Sequence, residues 1–258
     1  MKKINKITIL MISFFIFSCN NDDDQVSKEY FLTKITTTLP SSTTSSGATN
    51  IQYDSKNRIS QFSYQNVSQT YIFEVDYNTE NLITSIISTK TSSTGTNILT
   101  FNCTYTNAIL SQIIISNGAA AIPYNFIYDN ASNKYTIEST STTPDYYKYD
   151  SNENIIEFYF SGLLANFEYN NNKGIYNPTN NSLPLLFANL VNMQEESLYS
   201  YLFTNKEMTT MTFSLTNNFN STITRNEENN ISEVEIKNTA SGETVFSSTM
   251  DYEPRTIN

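Results

Sequence analysis

Apolar and polar residues alternate along much of the chain beyond residue 29. In the segment 71–77, Tyr71, Phe73 and Val75 fall on one side of an extended chain, whereas Glu74 and Asp76 fall on the other. A period of two residues is typical of a β-strand with one buried face. The polar face carries Thr, Ser, Asn, Glu and Lys, so we expect it to face water and not lipid. The pattern predicts an all-β protein.

A short unit recurs between these strands. A strand ends in Tyr, Asp or Asn follows, a polar stretch holding another Asn comes next, and a new strand begins with Ile or Leu. The Asp or Asn side chain can bond the backbone two residues on, and the later Asn tolerates a left-handed backbone, so each unit predicts a hairpin turn. Two strands and two turns fill about 20–28 residues, as in an antiparallel meander. The copies are 51–59, 75–83, 126–135 and 147–156, with looser copies at 105–109 and 167–172.

These units resemble YD (RHS-like) repeats, in the degenerate form found in Bacteroidetes lipoproteins of unknown function. The resemblance covers about residues 29–258, although Asn, Glu or Ser stands where the repeats usually have Gly in the turn. It implies one antiparallel sheet of repeated hairpins that curls, either open or closed into a barrel-like or porin-like meander. It implies no known activity.

One long interruption separates the repeats, at residues 171–205. Within it, Leu186 and Leu190 have helical spacing, which predicts a short helix near 183–192. The segment is interpreted either as a plug that covers an open end or face of the sheet core, or as a loop that binds a ligand or partner, since long loops often carry function.

The N-terminus has the pattern of a bacterial lipoprotein signal. Three lysines precede an apolar run at 7–17, which is too short to span a bilayer and has the length of a signal-peptide core. The run ends in Ile16-Phe17-Ser18-Cys19, which resembles a lipobox. Residues 1–18 are therefore predicted to be removed, and Cys19 to be lipidated. Several acyl chains on one cysteine are enough for stable membrane anchoring.

An acidic stretch follows the predicted anchor. Asp22, Asp23 and Asp24 lie in a segment, 19–28, that we interpret as a solvated, flexible tether. The stretch also resembles the surface-export signal of Bacteroidetes lipoproteins. The expected location is thus the outer membrane, with the domain 29–258 on the cell surface; the alternative is the periplasmic side.

Composition narrows the chemistry further. The 258 residues include no His, which excludes Ser-His-Asp and Cys-His triads and His-ligated zinc. The net charge is −10, with no Lys/Arg cluster beyond the N-terminus, which argues against a nucleic-acid partner. After removal of residues 1–18, Cys103 would be the only thiol besides the lipidated one, and its place on an alternating strand predicts a buried, unreactive thiol. No metal or other cofactor is predicted.

Four tyrosines do not all fit the main apolar face and are candidates for a ligand surface. Aromatic rings stack on the apolar faces of sugars, and neighbouring Asn and Asp side chains could bond hydroxyl groups. The alternative is that they are ordinary strand residues, since Tyr favours strands. The candidates are Tyr64, Tyr146, Tyr159 and Tyr201.

Acidic residues offer two weaker candidates. Glu227, Glu228, Glu233 and Glu235 could include the carboxylate pair of a glycoside hydrolase, but a solvated strand face explains them equally. The run Asp150-x-Asn152-x-Asn154 resembles the start of an EF-hand loop, but the Gly and the last Glu of that loop are missing, so we predict a hairpin turn there.

The sequence leaves several functions open. The leading hypothesis is a lipid-anchored, non-enzymatic cell-envelope protein with a binding or structural role, whose partner besides the membrane is a glycan or another envelope protein. The alternatives are a carbohydrate-binding protein or an Asp/Glu-dependent glycoside hydrolase of a polysaccharide-uptake system, and a carrier for an apolar ligand inside a barrel. Two close, buried carboxylates would favour the hydrolase, and an open apolar lumen would favour the carrier.

Overall fold

The computed structural model describes residues 28–40, 46–175, 182–193, 204–213 and 217–257. Within these ranges the chain forms sixteen strands and one helix. The strands are β1 (Lys28–Thr38), β2 (Gly47–Tyr53), β3 (Ile59–Asn66), β4 (Gln69–Tyr77), β5 (Ile83–Ser92), β6 (Gly95–Thr106), β7 (Ile109–Ser116), β8 (Ala121–Asp129), β9 (Lys134–Ile137), β10 (Tyr146–Tyr149), β11 (Ile155–Phe160), β12 (Leu163–Lys173), β13 (Lys206–Phe213), β14 (Asn217–Arg225), β15 (Ile231–Asn238) and β16 (Thr244–Thr256). The helix is α1 (Ser182–Met193).

The strands form a closed antiparallel barrel. Each strand pairs with its neighbours in sequence, and β1 pairs with β16 to close the sheet. The closing ladder runs from Lys28 opposite Thr256 to Thr38 opposite Ser247. Closure removes the free edges that an open meander would expose. The predicted meander of hairpins is confirmed, and of the two predicted forms, open or closed, the sheet adopts the closed barrel.

The core of the barrel lies inside it. Phe73 and Phe101 are fully buried on the inner face, whereas Glu74 and Asp76, which alternate with Phe73 and Val75 on β4, are exposed. A transmembrane barrel has the opposite polarity, with an apolar outer band and a polar lumen. The large apolar side chains that remain exposed in the described residues are too few for such a band. They are Tyr30, Val67, Ile98, Ile109, Ile122, Ile127 and Ile257.

Helix α1 fills the lumen. Phe187 is fully buried, and its ring meets four aromatic rings at centroid distances of 5.2–6.5 Å, nearly edge-on. Because those rings come from β6, β8 and β11, the helix must lie between strands that are separated around the barrel. The predicted helix at 183–192 is confirmed, and it occupies the position of a plug. The partner rings are Phe101, Tyr124, Phe126 and Phe160. Nowhere in the described ranges does a helix have the length and apolar content needed to cross a bilayer.

The repeated units all lie at one end of the barrel. This end, here named the tyrosine rim, carries the connections that follow the even-numbered strands β2 to β14, together with the start of β1 and the end of β16. The segment with α1 also leaves β12 and returns to β13 at this rim. The segment that leaves β12 and the segment that enters β13 are in contact, because Gly174 N–H donates to Asn205 O at 2.8 Å. A Cβ atom at Gly174 would lie 2.2 Å from Thr204 O, so the close approach requires glycine.

Candidate functional site

The connections at the tyrosine rim share one turn structure. In the β2–β3 connection, Asp54 Oδ1 accepts the backbone N–H groups of Lys56 and Arg58 at 2.8 and 3.0 Å. Asp54 N–H donates to Arg58 O at 2.8 Å, which closes a five-residue turn. The predicted Asp side chain to backbone bond is therefore present, and the run at Asp150 is a hairpin turn as expected. The same backbone closure recurs in the turns that begin at Asn78, Asp150 and Asn226.

The fourth residue of each such turn has a left-handed backbone. Asn occupies this position in three of them, with φ of 61° at Asn57, 64° at Asn81 and 62° at Asn229. Asn adopts this conformation more readily than most residues. In the β10–β11 turn the position is held by Glu153, with φ of 63°. The turn chemistry does not explain a glutamate there.

Tyrosine hydroxyl groups donate hydrogen bonds to backbone carbonyl groups of other strands around much of the rim. Tyr53, at the end of β2, donates to Leu32 O at 2.8 Å, and Tyr77, at the end of β4, donates to Ile59 O at 2.8 Å. Tyr169 on β12 donates in the same way to Ile155 O at 2.7 Å. Tyr105, near the end of β6, and Tyr252, on β16, depart from this pattern. Both hydroxyl oxygens are buried, and no hydrogen-bond partner for either occurs among the described residues.

A cavity of about 140 Å³ opens at the rim beside Tyr105. Glu153 stands at its wall, and Leu183 and Pro184, in the first turn of α1, contribute apolar surface. The remaining wall is mainly aromatic. Its tyrosines are Tyr105, Tyr128, Tyr135 and Tyr149.

Ring contacts and one asparagine hold these tyrosines in place. The Tyr128 and Tyr135 rings lie 4.6 Å apart, and the Tyr135 and Tyr149 rings meet edge-on at 6.2 Å. Tyr128 donates its hydroxyl hydrogen to Asn133 Oδ1 at 2.8 Å. The Asn133 amide in turn donates to Tyr149 O and to Asp150 O, at 3.2 and 2.8 Å. Asn133 therefore positions the wall and has no remaining donor for a ligand.

The cavity opens where one turn is shorter than the others. Between β6 and β7 only Asn107 and Ala108 connect the strands, whereas five residues connect β4 to β5. Both residues have positive φ, 52° and 63°, as a type I′ hairpin turn requires. Ala108 of this short turn adds only a methyl group to the cavity wall.

The hydroxyl groups of Tyr105 and Tyr135 are neutral at physiological pH. Burial raises the pKa of Tyr105 well above its ordinary value, and the neighbouring Cys103 thiol raises it further. Burial also raises the pKa of Tyr135 to about 12, with smaller contributions from Tyr128 and Glu153. The cavity thus offers aromatic surface and the carboxylate of Glu153.

Structural comparison identifies the architecture. A crystal structure of a porin-like protein from Bacteroides uniformis matches with a TM-score of 0.50 at 12% sequence identity, covering 88% of this chain and 98% of that chain. This chain has a porin-like barrel fold. A porin-like protein from Bacteroides vulgatus matches with a TM-score of 0.41 at 10% identity, over 88% of this chain and 100% of that chain. No family model and no curated protein matches the sequence. At 12% identity the likeness to the Bacteroides uniformis protein extends to the fold alone.

The four candidate tyrosines do not form one surface of the porin-like barrel within the described residues. Tyr64 is buried inside the barrel near the opposite rim, where a Cβ atom on Gly47 would come within 2.7 Å of its ring. The prediction that Tyr64 offers an exposed sugar platform is wrong, because its ring faces the core. Tyr146 and Tyr159 do form an outer pair, nearly parallel at 6.1 Å, with Lys134 Nζ 3.7 Å from the Tyr146 ring centroid. Tyr201 lies outside the described residues, as do Cys19 and Asp22, Asp23 and Asp24 of the predicted anchor and export signal.

The acidic candidates lie on a solvated surface. Glu235, on the outer face of β15, accepts Thr244 Oγ1–H at 2.5 Å and pairs with Lys237 at 2.7 Å. Glu227, Glu228 and Glu233 are exposed. Among the described residues no Asp or Glu is buried, and the carboxyl pKa values that shift are all lowered, at Asp54, Asp129, Glu207 and Glu235. A glycosidase acid requires a raised carboxyl pKa.

Neither Cys103 nor a cluster of metal ligands forms a reactive site among the described residues. Cys103 packs against the core, and burial raises its thiol pKa to about 12, so the thiol stays protonated at neutral pH. In the part of the chain that the structure describes, no three His, Cys, Asp or Glu side chains come together as metal ligands.

Proposed function

We propose that the protein is a lipid-anchored, non-enzymatic binding protein of the bacterial outer membrane, with its barrel displayed at the cell surface. In this proposal the Cys19 acyl chains hold the protein, residues 20–27 act as the tether, and the barrel stands in water outside the lipid.

The polarity of the barrel carries this proposal. Its lumen holds the aromatic core around Phe187 on α1, and its outer faces carry charged residues such as Glu74 and Asp76. An outer face of this kind does not suit a hydrocarbon environment. Within the described residues α1 occupies the lumen, so the carrier hypothesis gains no support. A barrel whose outer faces are polar and whose lumen is occupied is suited to presenting its rims and outer surface to a partner.

The tether has a suitable length for this role. Eight residues separate Cys19 from Lys28, where β1 begins at the tyrosine rim. Fully extended, they span at most about 30 Å. The anchor would therefore hold the tyrosine rim within this distance of the membrane surface.

Fractionation tests the anchor. In the native host, Cys19→Ala is expected to remove palmitate labelling and to release the protein from the membrane fraction. A matched Cys103→Ala variant should stay in the membrane. Unchanged membrane association of Cys19→Ala would contradict the proposal, because the proposal attributes membrane attachment to the acyl chains on Cys19.

Protease treatment of whole cells tests display. The wild-type protein should be cleaved by externally added proteinase K, and replacing Asp22, Asp23 and Asp24 together by Ala should protect it by leaving it on the periplasmic side. Equal protection of the wild-type and triple variant in intact cells would show that the barrel is not displayed.

A further inference from the structure

We propose that Asn117 is a site of self-modification, at which the backbone nitrogen of Gly118 attacks the Asn117 side chain and converts it to aspartate or isoaspartate. Both residues lie in the β7–β8 connection, at the rim opposite the tyrosine rim. The inference does not rest on the proposed binding role, and it assigns a chemical change to a surface outside the candidate site.

The sequence at this position favours the reaction. Asn117 is the one asparagine in the whole sequence that is followed by glycine. The attack closes a five-membered ring, so the backbone nitrogen of the following residue must approach Cγ of the asparagine. Glycine has no Cβ atom to hinder this approach and leaves the backbone free to rotate. The surroundings of Gly118 are also open, since a Cβ atom added there would meet no atom within 4 Å.

The turn leaves both reacting nitrogen atoms free. Asn117 and Gly118 are exposed, so water and hydroxide reach them. The Gly118 N–H has no hydrogen-bond partner among the described residues, and the same is true of the Asn117 Nδ2 group. Neither the attacking nitrogen nor the leaving nitrogen must therefore break a hydrogen bond within these residues before the reaction begins.

The side-chain oxygen, in contrast, is held by two donors. Asn117 Oδ1 accepts the backbone N–H groups of Ala119 and Ala120 at 3.1 and 3.0 Å. When the attacking nitrogen bonds to Cγ, negative charge develops on this oxygen. Backbone N–H groups directed at such an oxygen stabilise the tetrahedral intermediate.

The conversion needs only water besides the turn itself. The Gly118 nitrogen loses its proton to water or hydroxide and forms a bond to Asn117 Cγ. The Cγ–Nδ2 bond then breaks, and the amide nitrogen takes up a proton from water and leaves as ammonia. A succinimide ring remains. Water adds to one of the two ring carbonyl carbons, giving aspartate when it attacks Cγ and isoaspartate when it attacks the backbone carbon.

Two other turns of the same rim provide an internal comparison. They begin at Asn66 and Asn238, whose Oδ1 atoms each accept two backbone N–H groups at 2.9–3.1 Å. The residues that follow are Val67 and Thr239. Each carries two heavy atoms on Cβ, next to the nitrogen that would attack. Since the donors are alike and the following residue differs, reaction is expected at Asn117 and not at the other two.

The two products should affect the turn differently. Asp54 and Asp129 already accept the N–H group two residues on in their own turns, at 2.8 and 3.0 Å. An aspartate at position 117 can therefore keep the bonds from Ala119 and Ala120. Isoaspartate adds a carbon atom to the main chain, which alters the spacing between Asn117 N–H and Ala120 O, now bonded at 3.2 Å.

Peptide mapping tests the inference. Detergent-solubilised full-length protein is incubated at neutral and mildly alkaline pH, digested with chymotrypsin and analysed by mass spectrometry, with an unincubated sample to correct for conversion during digestion. The peptide 111–124 holds Asn117 as its one asparagine. It should gain the mass of an amide-to-acid conversion and separate into two products, faster at the higher pH, while Asn66 and Asn238 remain amides.

A variant and a synthetic peptide serve as controls. Gly118→Ala should slow the conversion by at least about tenfold, because a Cβ atom then stands beside the attacking nitrogen. Circular dichroism verifies that the variant folds. A synthetic peptide of residues 111–124 gives the rate without the turn, and the folded protein should react at no less than about a tenth of that rate.

Three results would overturn the inference. They are a rate at Asn117 far below that of the synthetic peptide, conversion of Asn66 or Asn238 as fast as that of Asn117, and an unchanged rate in Gly118→Ala. The first would show that the folded turn keeps the Gly118 nitrogen away from the side chain. None of these results concerns membrane attachment, so they would leave the proposed anchoring intact.

Discussion

The side chain of Asn154 accepts the backbone N–H of Asn205 at 2.9 Å, across the opening through which the α1 segment returns to the sheet. Its Oδ1 also accepts the N–H of Lys206 at 3.1 Å, and its Nδ2 donates to Asp150 Oδ2 at 3.0 Å. Asn154 is almost fully buried. One side chain thus links a repeated turn of the rim to the strand that follows the plug.

Removing this link should destabilise the protein. Asn154→Ala leaves the N–H groups of Asn205 and Lys206 without their acceptor, and an unsatisfied buried group costs about 1–3 kcal/mol. We expect urea unfolding to show a loss of this size. Asn152→Ala is the control, because the Asn152 side chain is exposed and only its backbone carbonyl bonds Asn205. Equal stability of the two variants would show that the link does not hold the rim.

The plug should contribute strongly to stability. Phe187→Ala removes a fully buried ring that contacts residues of three strands, and such substitutions cost about 3–5 kcal/mol. The urea midpoint should fall accordingly. Val67→Ala, at a side chain that is 81% exposed, should change it little. A loss below about 1 kcal/mol for Phe187→Ala would mean that the helix is not seated in the lumen.

Much of this fold could be predicted from the sequence, because its determinants are local. The alternation at 71–77 and the Asp or Asn that follows each Tyr act within a few residues, and the structure contains the resulting strands and turns. The spacing of Leu186 and Leu190 likewise placed the helix to within one residue at each end. Closure could not be predicted, because Lys28 and Thr256 pair across the whole domain and an open sheet would show the same alternation.

The candidate cavity was missed for a related reason. Tyr105 and Glu153 are 48 residues apart, and only the closed rim brings them to one cavity. The sequence holds a weak indication of each residue. The copy of the repeat that contains Tyr105, 105–109, is the shortest, and Glu153 stands where other copies have Asn. The burial of Tyr64 could have been predicted from the sequence. Tyr64 lies two residues from Phe62 and so shares its face of β3, and it pairs with Tyr71, which the alternation already assigned to the apolar face.

The rim tyrosines should differ in what their hydroxyl groups contribute. Tyr77→Phe removes a donor from Ile59 O and should cost about 1 kcal/mol, whereas Tyr105→Phe breaks no hydrogen bond within the described residues and should cost less or stabilise the protein. Thermal unfolding of the two variants provides the comparison. If Tyr105→Phe were the more destabilising of the two, the Tyr105 hydroxyl would have a structural partner.

Acid should weaken the rim through Glu207. Partial burial by itself raises the pKa of this carboxyl, but hydrogen bonds from Arg225, Asn170 and Asn172 outweigh it and lower the pKa below its ordinary value. A carboxyl whose pKa is lowered by folding stabilises the protein above its unfolded-state pKa, and this contribution is lost as pH falls through the folded-state pKa. We therefore expect Glu207→Gln to be less stable than wild type at neutral pH.

The difference between Glu207→Gln and wild type should shrink as the pH is lowered below about 4.5, the ordinary pKa of a glutamate. Urea unfolding at a series of pH values measures it. Glu80→Gln, in an exposed turn position, should follow the wild-type curve. A Glu207→Gln difference that does not change with pH would show that the charge on Glu207 contributes nothing to folding.

Glu153 should lower the stability of the β10–β11 turn. Its left-handed backbone costs on the order of 1 kcal/mol for a residue other than Gly or Asn, and the side chain makes no compensating hydrogen bond within the described residues. Glu153→Asn should therefore raise the free energy of unfolding, measured by urea unfolding, by about 0.5–1 kcal/mol. The reverse change at the equivalent position of another turn, Asn229→Glu, should lower stability by a similar amount. If Glu153→Asn destabilised the protein instead, the glutamate would serve the turn itself.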